Sequence, residues 1–342
     1  MPSESRKRAL VLSGGGGRGA YHVGVLRFLE EHEWYPDIVV GTSIGAVNGA
    51  AIASGHTAYS LWSLWKRLRT RDVQKANLNP ANGNFLLDTS PLRETLQKEG
   101  WVNFERLNSN EAAVHLRVTA TEVNTGHLHV FGNSPDIYPS KTQLEPIELD
   151  HIIASCSIPI VYPATKLHNN LYWDGATVAN TPMGPAIDAG AEEIVVVIMT
   201  PWEEDELIET ETPQNLLTTA STMLEWALLA SFQSDLKMFR RINDLLRLEV
   251  ENARLRAANH VLLAQARGEK VEFEDEDGDG VPDILQEKYH QLPDPIIVAP
   301  RRPIPVEQIV RYNLEGHEKL YDMGYEDASR AWRAAGKMVE GG

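Results

Sequence analysis

Cysteine is almost absent from this chain of 342 residues. Cys156 stands alone, so no internal disulfide can form, and the composition suits a reducing compartment. Positive charge is also scarce. Lys and Arg number 32 against 48 Asp and Glu, which leaves a formal net charge of -16. Nucleic acid is therefore excluded as the main partner, because phosphate binding needs a basic face. No apolar run approaches the roughly 18 residues that a spanning helix requires. The opening "MPSESRKR" is polar, and the "ALVL" after it is too short for the apolar core of a secretory signal. The expectation is a cytoplasmic protein, soluble or peripheral to a membrane. Hydrophobic residues make up 42% of the chain, enough for a sizeable core.

The apolar residues are arranged in alternating patterns. "ALVLS" (9–13) and "DIVVG" (37–41) are short apolar runs, as fully buried strands are. "YHVGVLRFLEEH" (21–32) carries Val23, Leu26 and Leu29 at helical spacing, and "IGAVNGAAIASG" (44–55) is small, apolar and helix-like. The order β-α-β-α implies a parallel sheet with helices on its faces. Further strands are expected at 113–123, 127–132, 171–175, 193–199 and 295–300. Residues 214–268 contain no proline. Leu216, Ala220, Met223, Ala227 and Leu228 recur there at helical spacing, and Leu248, Leu255 and Leu262 recur every seven residues. One broken helix or two, buried against the sheet, is the expected form. "EEDELIETE" (203–211) reads as a solvated acidic loop.

Gly14, Gly16 and Gly19 fit G-x-G-x-x-G in a strand-turn-helix context. A dinucleotide site also needs an acidic residue at the end of the second strand. Asp37 lies at that strand's other end. A phosphate loop needs Lys-Ser or Lys-Thr after the glycines, and neither is present. What closes the second strand is "GTSIG" (41–45), a G-x-S-x-G turn that can project Ser43 from the sheet edge, beside the positive end of the next helix. In a parallel sheet both strands end at the same edge. "GGGGRG" (14–19) therefore lies near Ser43, where amides left bare by glycine, with Arg18, can meet the negative charge of a reacting carbonyl oxygen.

Three segments, in order, resemble the patatin-like phospholipase family: "GGGGRG" (14–19), "GTSIG" (41–45) and "DGA" (174–176), with "ASCSIPIVYPA" (154–164) similar to that family's Ala-Ser segment. The resemblance covers about residues 8–200 and resumes from 295. It implies an α/β fold, a three-layer α/β/α arrangement around a mostly parallel sheet, over one domain at 1–342. Around core motifs at 8–200, that domain would hold the helical region 214–268, an acidic insertion at 270–292 and a C-terminal strand and helix at 295–340. It implies a serine-aspartate dyad: Ser43 as nucleophile and Asp174 as the base that takes its proton. Gly15, Gly16, Gly17, Arg18 and Ile44 would form the oxyanion hole. The implied substrates are phospholipids, lysophospholipids or other acyl esters, and the chemistry needs no cofactor. An ordinary aspartate, with a pKa near 3.9, is a weak base towards a serine hydroxyl; burial raises its basicity. Tyr172 and Trp173 either exclude water around Asp174 or simply pack the core. The rival Ser-Asp-His system would need a late histidine, such as His290 or His317. A membrane-associated or scaffold protein that keeps the fold without turnover is the alternative of a different class.

Two segments fall outside the motifs. "LWSLWKRLRTR" (61–71) combines Leu61, Trp62, Leu64, Trp65 and Leu68 with Lys66, Arg67, Arg69 and Arg71, as a helix contacting a membrane surface does, or a helix packing its apolar side inward. "DEDGDGVPDILQE" (275–287) places Asp275, Asp277, Asp279, Gly280 and Asp283 at calcium-loop positions, with Val281 offering a carbonyl. The glutamate of the twelfth position is replaced by Gln286. The spacing also resembles thrombospondin type 3 calcium loops. A calcium ion there is expected to be structural; the bland reading is a solvated acidic insertion. Calorimetric titration of the full chain with calcium is expected to give binding in the micromolar to millimolar range, abolished by Asp275→Asn together with Asp279→Asn.

Overall fold

The computed structural model describes residues 6–77, 85–98, 100–109, 111–202, 212, 216–268 and 291–337. The acidic stretch 203–211, the calcium-loop residues 275–283 and His290 lie outside them. The chain divides into two compact units, Met1–Gln233 with Pro295–Gly342, and Ser234–Asp294.

The first unit is built on a nine-stranded sheet. Its strands are β1 (Arg8–Leu12), β2 (Ile38–Thr42), β3 (His115–Glu122), β4 (Leu128–Gly132), β5 (Gln143–Leu144), β6 (Thr165–Leu167), β7 (Asn170–Asp174), β8 (Glu193–Val197) and β9 (Ile296–Val298). The order is β9-β8-β1-β2-β3-β4-β5, while β7 pairs with β3 and β6. Neighbours from β9 through β3 are parallel; β4 and β7 run antiparallel to β3. Parallel strands covered on both faces need continuous apolar runs, and Ala9–Leu12, Ile38–Val40 and Val195–Val197 are all buried. Helices flank this mostly parallel sheet, giving the expected α/β layers.

The principal helices are α1 (Ala20–Glu31), α2 (Ile44–Ala53), α3 (Ala58–Trp65), α4 (Ser90–Lys98), α5 (Leu149–Ser155), α6 (Leu216–Ala266) and α7 (Leu314–Ala334). Helix α7, capped by the Asn313 side chain accepting from the Gly316 N–H, packs tightly on α1. A Cβ on Gly24 would lie 1.9 Å from the Tyr321 carbonyl oxygen, and one on Gly324 would lie 2.1 Å from that of Tyr21. The contact is tied by the Tyr21 hydroxyl donating to Asp327 Oδ2 at 2.9 Å.

Of the two readings of the 61–71 segment, inward packing holds, and one other expectation needs correction. The 61–71 segment turns its apolar side inward: Leu61, Leu64, Trp65 and Leu68 are buried, and Trp62 stacks on Tyr321. Those side chains belong to the core and are not presented to a membrane. The long helical region is one continuous helix of 51 residues, and its stripe is misassigned. Leu229, Phe232, Leu236 and Phe239 are buried, whereas Met223, Leu248, Leu255 and Leu262 are 57–68% exposed. A helix this rich in leucine carries two apolar faces, and periodicity alone does not say which one is covered. In the second unit, the buried Asn243 side chain holds Leu292 through both its amide nitrogen and its oxygen.

Gly24→Ala is expected to destabilise the protein by about 1–3 kcal/mol through overpacking, read as a lowered urea midpoint with an unchanged slope.

Candidate active site

Strand β3 positions the site. On one flank it pairs first with β2, from Ile38↔His115 to Thr42↔Thr119. On the same flank β7 then pairs with it from the opposite direction, Ala120↔Asp174 to Glu122↔Tyr172. The C-terminal ends of β2 and β7 thus meet head to head, and the next residue of β2's chain, Ser43, faces the last residue of β7, Asp174. The Ser43 hydroxyl is hydrogen-bonded to the Asp174 carboxylate. Thr42 and Thr119 lock the junction through their hydroxyls at 2.7 Å.

Ser43 holds φ 55° and ψ -125°, a left-handed conformation that costs a non-glycine residue of order 1–3 kcal/mol. The turn is held by its surroundings. A Cβ on Gly41 would lie 2.4 Å from the Gly45 carbonyl oxygen, and one on Gly45 would lie 2.2 Å from that of Leu12. The Ser43 N–H donates to Ser155 Oγ at 2.8 Å, which fixes the strained residue from α5.

Asp174 is buried. Its N–H donates to the Ser157 carbonyl at 2.9 Å, and its Oδ1 accepts the Ala176 N–H at 2.8 Å. Burial pushes its carboxyl up from 3.8 to about 7, against the lowering effect of the Ser43 and Ala176 hydrogen bonds. A carboxylate in this range is a far better proton acceptor than an exposed one.

The glycine turn stands beside this pair. A Cβ on Gly14 would approach Ser43 Cβ to 3.0 Å, and the Gly14 N–H donates to Asn180 Oδ1 at 2.9 Å. Asn180 follows the Asp-Gly-Ala turn, so the first and third motifs are tied directly; motif reading missed it because no short pattern marks it. The same is true of Ser155. Residues Gly16–Gly19 form a 3-10 turn leading into α1. The Arg18 N–H is taken by the Gly15 carbonyl at 3.2 Å, and the Arg18 side chain is buried. Gly14, Arg18 and Ser43 therefore have their amides committed. The amides of Gly15, Gly16, Gly17 and Ile44 are the remaining ones of the expected set. The glycines also answer a packing need, against a segment that the sequence reading did not identify. A Cβ on Gly16 would fall 2.1 Å from the Ile309 carbonyl oxygen, and one on Gly17 would fall 2.3 Å from that of Gln308.

An apolar crevice opens on Ser43, walled by Val47, Leu68, Leu96, Trp101, Tyr162 and Tyr312. Tyr172 is buried edge-on to Phe131 and belongs to the core, and Trp173 is half-buried. His317 is held elsewhere: its Nδ1 donates to the Trp65 carbonyl at 2.9 Å, and burial lowers it from 6.5 to about 4. His22 is likewise kept neutral by burial, lowered to about 3.

Residues 10–187, more than half of the chain, match the model of the patatin-like phospholipase family. The chain belongs to that family. Among curated proteins, it is 30% identical to triacylglycerol lipase 5 of Saccharomyces cerevisiae over 47% of this chain and 23% of that protein. It is 28% identical to the cGAMP-activated phospholipase of Escherichia coli over 52% of this chain and 54% of that one. The chain thus spans about half, or less, of the length of these relatives. Among solved structures it is similar to VipD from Legionella pneumophila, with a TM-score of 0.45 and 13% identity over 97% of this chain and 67% of that one. No described helix of this patatin-like chain is long and apolar enough to cross a membrane.

The Asp174 carboxyl titrates near 7 in the folded protein and near 3.9 unfolded. Between these values the unfolded chain loses the proton first, so stability falls as pH rises, and the full cost is present above pH 7. Asp174→Asn removes that cost. It is expected to stabilise the fold at pH 8 by on the order of 2–4 kcal/mol, with the gain vanishing towards pH 4, as read by urea unfolding at both pH values.

Proposed function

We propose that the protein is a lipid acyl hydrolase that cleaves carboxylic esters through an acyl-enzyme on Ser43, with Asp174 as base. One observation carries this reading: a strained, glycine-flanked serine hydroxyl is hydrogen-bonded to a buried carboxyl raised to about 7. As the Ser43 oxygen attacks the ester carbonyl, its proton passes to Asp174. Negative charge then develops on the carbonyl oxygen and is met by amides of the glycine turn, Gly15, Gly16 and Gly17, and by the Ile44 N–H at the start of α2. Arg18 supports the turn from a buried position. Asp174 returns the proton to the leaving alcohol. It then takes one from the water that attacks the acyl-enzyme, and Ser43 is regenerated.

The apolar crevice beside Ser43 suits the acyl side of an ester, while burial of Asp174 raises the base next to it. Phospholipids and lysophospholipids are the substrate class that the family and the crevice favour, and the steps require no metal or organic group. The calcium reading concerns residues remote in sequence from the dyad and has no part in these steps.

Hydrolysis of a p-nitrophenyl acyl ester is expected to fall by about a thousandfold or more in Ser43→Ala and in Asp174→Asn, each with an unchanged circular dichroism spectrum. In the wild type kcat/KM should rise with pH through about 7, as Asp174 ionises. A folded Ser43→Ala protein with full activity would overturn the proposal, and so would a rate that is flat from pH 5 to 9.

A further inference from the structure

The catalytic reading leaves one face of α6 unused. In the second unit this helix buries Leu236, Phe239, Asn243, Ala257 and Ala264. On its opposite face Met238, Leu245, Leu248, Leu255 and Leu262 are 57–64% exposed. A contiguous apolar stripe of this kind is more than a soluble surface normally leaves in water. Its spacing is regular. With Met238, Leu245, Asn252 and Asn259 at the first heptad position, the fourth position holds Arg241, Leu248, Leu255 and Leu262. The buried residues then fall on the second and sixth positions, facing away from the seam.

Several chemical details of the seam favour another copy of itself. Leucine fills three of the four fourth positions, with Arg241 at the other, and suits a parallel pair. Asparagine at the first position is satisfied by an identical asparagine across the pair, and it fixes the register. Glu251 and Arg256, both exposed, occupy the flanking positions that face each other between parallel copies and carry opposite charge. Asp244 and Glu249 would meet there as like charges, but Asp244 is already paired with Arg247 at 2.8 Å. From Met238 to Leu262 the seam runs for about 36 Å.

We propose that residues 238–262 of α6 zip in parallel, in register, against the same residues of a second copy of this chain. The full chain should sediment at micromolar concentration as a species of twice 38.1 kDa. Leu248→Glu combined with Leu255→Glu, both at exposed positions, should sediment as a monomer with unchanged circular dichroism and unchanged esterase rate. Oxidised Leu255→Cys should give a covalent dimer, and Arg247→Cys, off the seam, should not. Three results overturn the proposal: a monomeric wild type at tens of micromolar, a dimer that survives the double substitution, or equal cross-linking at both cysteine positions.

Discussion

The molecule depends on how strand β3 divides one of its flanks. The first part pairs with a parallel strand and the second with an antiparallel one, and the two partners end within a residue of each other. Backbone hydrogen bonds therefore set the distance between hydroxyl and carboxylate, before any side-chain packing is considered. The left-handed backbone of Ser43, the close approach of Gly175 to Thr119 and the threonine pair beneath them all follow from this junction.

Burial does the electrostatic work. The carboxylate has a hydroxyl and one amide as partners, fewer than an exposed anion draws from water, so its ionised form is held at a cost. Chemistry recovers part of that cost when the proton arrives. A desolvated carboxyl acquires a basicity close to that of imidazole, which is what the proposed pair would use in place of a histidine. His317, edge-on to the crevice wall Tyr312, is neutral and tied to the Trp65 carbonyl.

Much of this was legible in advance. Short buried strands announce themselves as apolar runs, and glycine-bounded turns such as "GTSIG" mark where a side chain would clash; Ser43 and the glycine turn were read that way, whereas Asp174 was named from the family resemblance. Ser155 and Asn180 were not, because a single side chain that accepts an amide hydrogen leaves no pattern. The covered face of α6 was misread for a different reason: Leu248, Leu255 and Leu262 repeat as regularly as buried residues would, and only neighbours decide which stripe is covered. The glycines at 16 and 17 were read chiefly as bare amides open to substrate, and the nearby carbonyls of Gln308 and Ile309, almost 300 residues later, also demand them.

That last contact makes the catalytic pocket a composite in time as well as in space. Ser43, Asp174 and the turn beside them are all in hand by residue 180. The wall that presses on the turn arrives only after the final strand, stitched down by Gln74 holding the Val310 carbonyl and Thr70 exchanging hydrogen bonds with Tyr312. A nascent chain on the ribosome would therefore carry its hydroxyl and carboxyl pair, and most of the crevice, before it carries Tyr312, the last wall, and the segment that presses on the turn.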